Sequence, residues 1–598
     1  MFERDSVLVC ALVVLVAKDL YVVGGVPIKR AAEELSMILL HNNDMHGRFD
    51  ETERNSGSCQ VSNRNKSCIG GFARTAHVIR KYRQKAKEGI YPPVLYLNAG
   101  DTFVGTSWFS VFTWNISSAF INILEPDALS LGNHEFDLTV GTLAPFVDAV
   151  KSPILAANLD LTGEPSLSKV KKSVILEVSG WQVGIIGYLT PETIKISSVG
   201  SIKFEDEVEA IKRESTNLQS LGVNIIIALG HSGYLTDQKI AEEVELVDVV
   251  IGGHSNTFLW NGKQPDYEPV EDPYPKIITQ KSGKKVPVVQ AYAYTKYLGV
   301  LNVTFDDKGD LISFAGQPIL LESSIPQDED VLALLDVYRP KIDALNEEEV
   351  GVSKVILDGS DAVCRRGECN LGNLITDALV SYVVTVSPEQ WTAAPLGLYN
   401  GGGIRNTIDV TSSNGKITRG DLLGVLPYGN QVVQKTLKGV DLIRALEQGA
   451  RGNGETSYGE FPQVSGMKVV LDMSKPPYSR VVSVKVRCGL CLVPIYEPLD
   501  PHKNYTLVTS SFLSDGGDGI TALRDNFLDK KVHDLTDIDT VAWYIRKYSP
   551  VYPEVQGRIT FVNGSECNSN GAFKSRLSWT VFVIGFLLSF LNYVDVNK

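Results

Sequence analysis

The chain has 598 residues, with 57 Lys and Arg against 70 Asp and Glu, so its formal net charge is −13. This length is too great for a single hydrophobic core and predicts at least two domains. The 43% hydrophobic and 21% charged content excludes a mainly disordered, collagen-like or coiled-coil protein, and the acidic balance argues against a nucleic-acid partner, which normally requires a basic face.

The first apolar segment, residues 7–17, has the length of the core of a secretory signal peptide. Lys18 and Asp19 end it before it could span a bilayer. The residues before it carry little positive charge, and a short buried strand is the alternative interpretation. Its position at the start of the chain favours a signal peptide, which we expect to cover residues 1–25.

Between residues 35 and 325, short apolar runs alternate with helical patterns. The runs are rich in β-branched residues or leucine and are followed by glycine or polar residues; they lie at 37–40, 94–97, 185–187, 225–229 and 249–251. This pattern is typical of strands that are buried on both faces of a sheet. The sequence therefore predicts an α/β domain over residues 35–325.

An acidic segment separates this region from a second one. Its apolar residues recur at helical spacing: Val331, Leu334, Leu335, Tyr338, Ile342 and Leu345. We expect residues 326–350 to form a linker helix, with a bend at Pro340. A second domain is predicted over residues 351–562, with helices of its own at 373–384 and 439–447.

The last apolar segment, residues 577–594, carries no charge and is long enough to cross a membrane. Lys574 and Arg576 precede it, and only Lys598 is basic after it, which disfavours a permanent span by the positive-inside rule. Small residues at 563–565, a polar spacer and the apolar tail match a GPI-attachment signal. We expect residues 564–598 to be a GPI propeptide; a retained transmembrane helix is the alternative.

Eight cysteines are present, and the six outside the two terminal segments fall in close pairs: Cys59 with Cys68, Cys364 with Cys369, and Cys488 with Cys491. An even set of locally paired cysteines in a secreted chain predicts three short-range disulfides. For the last pair, half a zinc knuckle or a redox pair are the alternatives.

Five short polar motifs in the first region each follow an apolar run. They are Asp44-Met45-His46, Gly100-Asp101, Gly132-Asn133-His134-Glu135, Gly230-His231-Ser232 and Gly252-Gly253-His254-Ser255. Ligands of open α/β folds bind beyond the carboxyl ends of the strands, so these side chains are expected at one edge. Any one motif is more often a core or capping element. Together, their nitrogen and oxygen donors predict a site for zinc or a similar metal.

Two neighbouring cations need a bridging carboxylate, for which Asp101 is the natural candidate. The other expected ligands are Asp44 and His46 for the first metal, and Asn133, His231 and His254 for the second, with Asn256 as a weaker candidate for an extra ligand. His134 directly follows a ligand and is suited to proton donation or charge stabilisation. Asp137, one short turn later, is expected to hold its ring.

The second region offers groups that suit a nucleotide. Arg365 lies in the loop closed by Cys364 and Cys369, and Asn400 begins a glycine-rich turn that ends at Arg405, where a phosphate can approach the backbone. Two loops each carry one aromatic residue, Tyr428 and Phe512, which are able to enclose a purine. Asp518 is expected to accept hydrogen bonds from ribose hydroxyls. Taken alone, each aromatic residue is more often a packing residue.

The motif order resembles the calcineurin-like metallophosphoesterases, and the whole mature chain resembles the animal ecto-5′-nucleotidase/apyrase family. The resemblance implies an α/β fold with an N-terminal four-layer αββα metallophosphoesterase domain, a linker helix and a C-terminal α/β nucleotide-binding domain. Carried over residue by residue, it implies metal ligands at Asp44, His46, Asp101, Asn133, His231 and His254, a catalytic pair at His134 and Asp137, and nucleotide contacts at Arg365, Asn400, Arg405, Tyr428, Phe512 and Asp518. It also implies two zinc ions, a homodimer formed through the second domain, and a domain rotation that carries substrate to the metals.

These observations predict an extracellular 5′-nucleotidase, GPI-anchored to the plasma membrane, that hydrolyses nucleoside 5′-monophosphates such as AMP. A secreted form is an alternative to the anchored one. An apyrase acting on ATP and ADP is the nearest alternative activity, and the intact anchor signal argues against it because such relatives are normally released. A catalytically inactive surface-binding protein is disfavoured by the complete set of metal ligands.

Overall fold

The computed structural model describes residues 34–562, apart from 55, 58, 60–62, 65, 388–390, 412 and 453–458. The predicted signal peptide and GPI propeptide lie outside the described residues. Within the described part, no helix has both the length and the apolar character that a bilayer crossing requires.

The N-terminal half consists of strands that alternate with helices. In chain order its strands are β1 (Leu35–Asn42), β2 (Val94–Asn98), β3 (Ala128–Ser130), β4 (Ile154–Leu155), β5 (Leu159–Asp160), β6 (Ser173–Val178), β7 (Trp181–Leu189), β8 (Lys203–Phe204), β9 (Ile225–His231), β10 (Val249–Ile251), β11 (Lys276–Thr279), β12 (Lys285–Val289), β13 (Tyr297–Phe305), β14 (Leu311–Gly316) and β15 (Ile319–Leu320). Its helices are α1 (Gly71–Lys87), α2 (Ser107–Leu124), α3 (Val140–Ala149), α4 (Thr193–Ile196), α5 (Glu207–Ser220) and α6 (Tyr234–Glu243).

Two mixed sheets dominate this half. The first has the order β14-β13-β1-β2-β3-β4, with β15 also paired to β13, and the second has the order β11-β12-β10-β9-β7-β6. Strands β1 to β4 run parallel to one another, as do β7, β9, β10 and β12. The carboxyl ends of neighbouring parallel strands therefore lie at a common edge of each sheet.

Alternate residues of β1 face opposite sides of the first sheet, as the period of a strand requires. Met37 and Leu39 belong to the core between the two sheets, together with Ile185 and Ile227 of the second sheet. Leu40 faces the other way and belongs to the core formed with α1 and α2. Helix, sheet, sheet and helix thus form the four layers that the resemblance implies.

The described part of the second half begins with a long helix and contains a two-stranded sheet and two larger sheets. Its helices are α7 (Glu329–Glu347), α8 (Asp361–Cys364), α9 (Asn370–Thr385), α10 (Arg419–Val425), α11 (Gly439–Gly449), α12 (Ser511–Ser514), α13 (Ala522–Asp525) and α14 (Asp537–Tyr548). Its strands are β16 (Glu349–Val352), β17 (Leu396–Asn400), β18 (Lys416–Thr418), β19 (Gln431–Lys438), β20 (Pro462–Ser465), β21 (Met467–Leu471), β22 (Val481–Arg487), β23 (Tyr496–Pro498), β24 (Asn504–Ser510), β25 (Phe527–Thr536) and β26 (Ile559–Phe561). The larger sheet has the order β20-β17-β24-β19-β25, and the smaller one β23-β22-β21-β26.

The predicted local structure is confirmed in several places. Strands β1, β2, β7, β9 and β10 contain the five apolar runs, and the predicted linker segment contains α7, which continues through Pro340. Disulfides join Cys59 to Cys68, Cys364 to Cys369 and Cys488 to Cys491 as predicted. The domain boundaries stay a prediction.

Candidate metal and substrate site

The five polar motifs of the N-terminal half meet at one edge of the double sheet. Asp44 and His46 follow β1, Asp101 follows β2, and Asn133 follows β3. His231 ends β9 and His254 follows β10, so these two reach the same place from the second sheet. The six residues predicted as metal ligands therefore lie together, although they come from five regions of the sequence.

Asp101 is the central side chain of this cluster. Its Oδ2 atom lies 2.8 Å from His231 Nε2 and 3.9 Å from His46 Nε2. Two groups of donors converge there, one with His46 and His134 and the other with His231 and His254, and Asp101 belongs to both. A single carboxylate thus faces both donor groups, as a bridge between two cations requires.

The donor set fits divalent cations. Asp44 Oδ1 lies 3.7 Å from Nε2 of both His46 and His231, and it is buried with no hydrogen-bond donor in the described part of the chain. Asn133 Oδ1 lies 2.8 Å from Nδ1 of His254. A buried carboxylate oxygen without a donor is costly unless a cation satisfies it.

Backbone carbonyls fix the direction of two of the imidazoles. Nδ1 of His231 lies 2.7 Å from the Ala99 carbonyl oxygen, and Nδ1 of His46 lies 3.3 Å from that of Phe103. When Nδ1 donates to a carbonyl, Nε2 keeps its lone pair and points toward the cluster, which is how metal-binding histidines are commonly held.

The electrostatics of the cluster also indicate a cation site. Burial raises the pKa of Asp44 to about 6. Burial alone would lower the pKa of His231, but the carboxylates of Asp101 and Asp44 outweigh it and raise this pKa to about 10. The space between these carboxylates therefore favours positive charge, which a bound metal would supply while Nε2 of His231 keeps its lone pair.

The backbone around the ligands is strained. Asp44, His46, Asp101 and His254 have φ of 49°, 47°, 55° and 78°, in the left-handed region that is rare for residues with a side chain. Hydrogen bonds oppose this strain: the amides of Asp44 and His46 donate to the carbonyls of Gly100 and Asp101 at 3.0 and 2.9 Å. Strain of this kind persists where the surrounding structure fixes it, and it concentrates at functional sites.

Glu135 shapes the loop that carries Asp101, a role that the sequence analysis did not assign. Its carboxylate accepts hydrogen bonds from the backbone amides of Gly132, Asp101, Thr102 and Phe103 at 2.6–3.1 Å. Burial raises its pKa to about 7. The signal was present in the sequence, because Glu135 completes the Gly-Asn-His-Glu motif.

His134 and Asp137 form the predicted pair. His134 Nδ1 contacts Asp137 Oδ2, and Ser197, which the sequence analysis missed, donates from Oγ to Asp137 Oδ1 at 2.8 Å. The other ring nitrogen, Nε2, lies 3.1 Å from Nη2 of Arg405. Arg405 belongs to the second half of the chain, so the two halves meet at this histidine.

The predicted nucleotide-binding residues lie around this junction, with differences in detail. Asn400 Nδ2 donates to Asp518 Oδ2 at 2.6 Å, and both side chains are buried. Arg365 does not extend freely from its disulfide loop, because its Nε lies 2.8 Å from Asp361 Oδ1. Asn400 is the last residue of β17, Asp518 lies in the loop that follows β24 and α12, and Arg365 directly follows α8.

The two predicted aromatic residues lie in different surroundings. Tyr428 packs against the core of the N-terminal half, and its hydroxyl hydrogen-bonds to Asp137, which together with burial raises the pKa of the phenol. Phe512 packs on the core of the C-terminal half and against Gly517, where an added Cβ would lie 2.5 Å from the ring. The Tyr428 hydroxyl therefore reaches the pair formed by His134 and Asp137, which ring stacking alone would not require.

A cluster of imidazole, carboxylate and amide donors at the edge of an αββα sandwich, closed by an arginine, defines a metal-dependent phosphoesterase. The family model described as calcineurin-like phosphoesterase matches residues 37–258, and that of the 5′-nucleotidase C-terminal domain matches residues 349–525. The chain is 47% identical to Protein 5NUC of Lutzomyia longipalpis (89% of this chain, 94% of the relative) and 42% identical to 5′-nucleotidase of Homo sapiens (93% and 96%).

A solved structure, the 5′-nucleotidase precursor of Thermus thermophilus, superposes with a TM-score of 0.80 at 35% identity, covering 88% of this chain and all of that one. The chain belongs to the 5′-nucleotidase family. It is accordingly a metal-dependent phosphoric monoester hydrolase with an N-terminal metallophosphoesterase domain and a C-terminal 5′-nucleotidase domain.

Proposed function

We propose that the protein hydrolyses AMP and related nucleoside 5′-monophosphates to nucleoside and phosphate outside the cell, using two zinc ions. The observation that carries the proposal is the 3.1 Å contact between Arg405 of the C-terminal domain and His134 beside the metal cluster. A phosphate bound at the cluster is thereby within reach of both domains, while the nucleoside extends toward the loops of the second.

Asp44, His46, Asp101, Asn133, His231 and His254 would hold the two cations, which would activate water and neutralise the charge of the phosphate oxygens. Because a guanidinium only donates hydrogen bonds, Nε2 of His134 accepts from Arg405, and Nδ1 carries the proton that faces Asp137. A phosphate that enters between them accepts hydrogen bonds from the Arg405 N–H groups in place of His134 Nε2. Nε2 of His134, released from Arg405, takes up a proton from solvent, and the resulting imidazolium, stabilised by Asp137, then donates to the phosphoryl group as charge develops on it.

The activity is tested by measuring phosphate release from AMP, ADP, ATP and a small aryl phosphate under the same conditions. We expect AMP to be the best substrate. Faster release from ATP and ADP would instead support the apyrase alternative, and no release from any of the four would support an inactive binding protein. A rate on the aryl phosphate equal to that on AMP would mean that the nucleoside is not recognised.

Recognition of the base predicts a selective effect at Phe512. Stacking a base on an aromatic side chain contributes roughly 1–3 kcal/mol, so Phe512→Ala should raise the KM for AMP by about 5- to 150-fold. The aryl phosphate serves as the control, because the metal cluster, His134 and Asp137 lie in the other domain and its hydrolysis should barely change. Equal losses on both substrates would show that Phe512 acts on folding and not on the base.

Membrane attachment through a GPI lipid is the second part of the proposal. It is supported by the uncharged segment 577–594, which lies outside the described residues, and by the small residues and polar spacer before it. A phosphatidylinositol-specific phospholipase should release the protein from cells, because lipid alone would hold it once the tail is removed. If detergent extracts a chain that still contains Trp579 and the phospholipase releases none, the segment spans the membrane.

We also propose that two copies pair through the C-terminal domain. Leu490, Leu492, Val493 and Ile495 form an exposed apolar cluster in the loop between β22 and β23, and Leu490 is 86% exposed. Apolar clusters of this kind mark contact surfaces. Sedimentation should give twice the mass of one chain, and Leu492→Glu should give the single mass with activity retained. A wild-type protein that sediments as a monomer would contradict the proposal.

A further inference from the structure

A buried lysine lies behind the loop that carries two of the proposed nucleoside contacts. Lys435 is in the middle of β19 and is 1% exposed. Its Nζ donates to the carbonyl oxygens of Ser514 and Leu523, at 2.6 Å in both cases. The aromatic ring of Phe527 covers the same ammonium, with its centroid 4.2 Å from Nζ.

The two carbonyls belong to the two ends of one loop. Ser514 is the last residue of α12, the short helix on which Phe512 lies, and Leu523 lies in α13. Asp518 lies between them in the chain. The ammonium therefore connects both ends of the segment to a central strand of the sheet, and it supplies positive charge where helix carbonyls lack partners.

The loop needs such support because its backbone is strained. Asp518 has a φ of 51°, and Gly516 and Gly519 on either side have φ of 91° and 69°. Phe512 packs against Gly517 so closely that an added Cβ there would lie 2.5 Å from the ring. The positions of the Phe512 ring and of the Asp518 carboxylate therefore depend on each other and on the ends of the loop.

The ammonium of Lys435 is buried beside another positive charge. Burial, together with Lys530 on the neighbouring strand, lowers the pKa of Lys435 to about 8. Within the described residues, no carboxylate lies within ion-pair distance of it; Asp515, the nearest acidic residue of the loop, pairs with Lys530 at 2.9 Å. An ammonium buried without an ion pair is costly, and its two short hydrogen bonds both go to the loop.

We propose that Lys435 is a positioning residue for nucleoside recognition, which holds Phe512 and Asp518 in place through the two ends of their loop. The inference rests on the proposed function, in which these two residues bind the nucleoside. Lys435 itself touches neither substrate nor metal. Its effect should therefore appear in the binding of the nucleoside and not in the chemistry at phosphorus.

The test compares Lys435→Met, which keeps the length of the side chain and removes its charge and donors, with Lys438→Met, at an exposed lysine of the same strand, as the matched control. Part of the stacking interaction would be lost, so we expect Lys435→Met to raise the KM for AMP by about 5- to 30-fold. The kcat for AMP and the kcat/KM for a small aryl phosphate should stay within about twofold. Lys438→Met, whose side chain is exposed at the end of β19, should change neither substrate's kinetics.

A second variant covers the case in which Lys435→Met does not fold. Phe527→Leu removes the ring over the ammonium from an exposed strand and should raise the KM for AMP by a smaller factor, again without an effect on the aryl phosphate. An unchanged KM for AMP in these variants, or equal losses on both substrates, would overturn the inference. If the wild-type enzyme hydrolyses AMP no better than the aryl phosphate, the proposed function itself fails, whatever the variants do.

Discussion

Asp101→Ala should lower kcat for AMP by at least about 10³-fold, since it removes charge stabilisation worth several kcal/mol at about 1.4 kcal/mol per factor of ten. The reason lies in its position, because Oδ2 of Asp101 faces both donor groups of the cluster. Asn133→Ala removes one neutral donor from one group and should lose less activity. The measurement is kcat together with the number of metal ions bound per chain.

Metal content separates this explanation from misfolding. The wild-type protein should hold two ions, and Asp101→Ala should hold fewer than Asn133→Ala. Asp306→Asn, which alters a carboxylate in a distant turn, should keep both ions and full activity. Chelation should abolish hydrolysis and added zinc should restore it. Full activity after exhaustive chelation would contradict the two-metal site.

His134→Asn should lower kcat by about 10²- to 10⁴-fold on both AMP and a small aryl phosphate, the range that general acid–base groups contribute. Asp137 acts through His134, so Asp137→Asn should cost about 10- to 100-fold. Ser197 acts one step further away, through its 2.8 Å hydrogen bond to Asp137, and Ser197→Ala should cost less again. Steady-state kinetics on both substrates measure this order.

The same series decides whether His134 is a metal ligand. Its Nε2 lies 3.9 Å from Asp101 Oδ2, and it groups with His46 and Asp101 as a possible donor. A catalytic His134 predicts that His134→Asn still binds two ions. The loss of one ion in this variant, or a larger loss of activity in Ser197→Ala than in His134→Asn, would contradict the assignment.

Much of the site could be predicted from the sequence because its chemistry is encoded locally. Each predicted metal-binding motif lies at the end of an apolar strand, and parallel strands place their carboxyl ends at one edge. The order of the motifs therefore sufficed to bring Asp44, Asp101 and His231 together. The disulfides were predictable for a similar reason, since each pair is separated by nine residues or fewer.

Contacts between distant parts of the chain could not be predicted in this way. Ser197 carries no motif, and its bond to Asp137 depends on how the segment after α4 folds back onto the loop after β3. The hydroxyl of Tyr428 extends beyond its expected stacking role because it lies against Asp137 in the other domain. The hydrogen bonds of Lys435 could not be predicted either, because they depend on how the loop of Phe512 lies against β19.

The sequence by itself therefore predicted which residues form the candidate metal site, located five of the strands and the three disulfides, and determined to which family the protein belongs. The tertiary structure decided which distant groups meet: Arg405 with His134 across the two domains, 271 positions apart, and Lys435 with the loop of Phe512 within the C-terminal domain. The physical reason is that periodicity and spacing act over a few residues, whereas these contacts depend on the packing of whole domains and sheets, to which many distant side chains contribute.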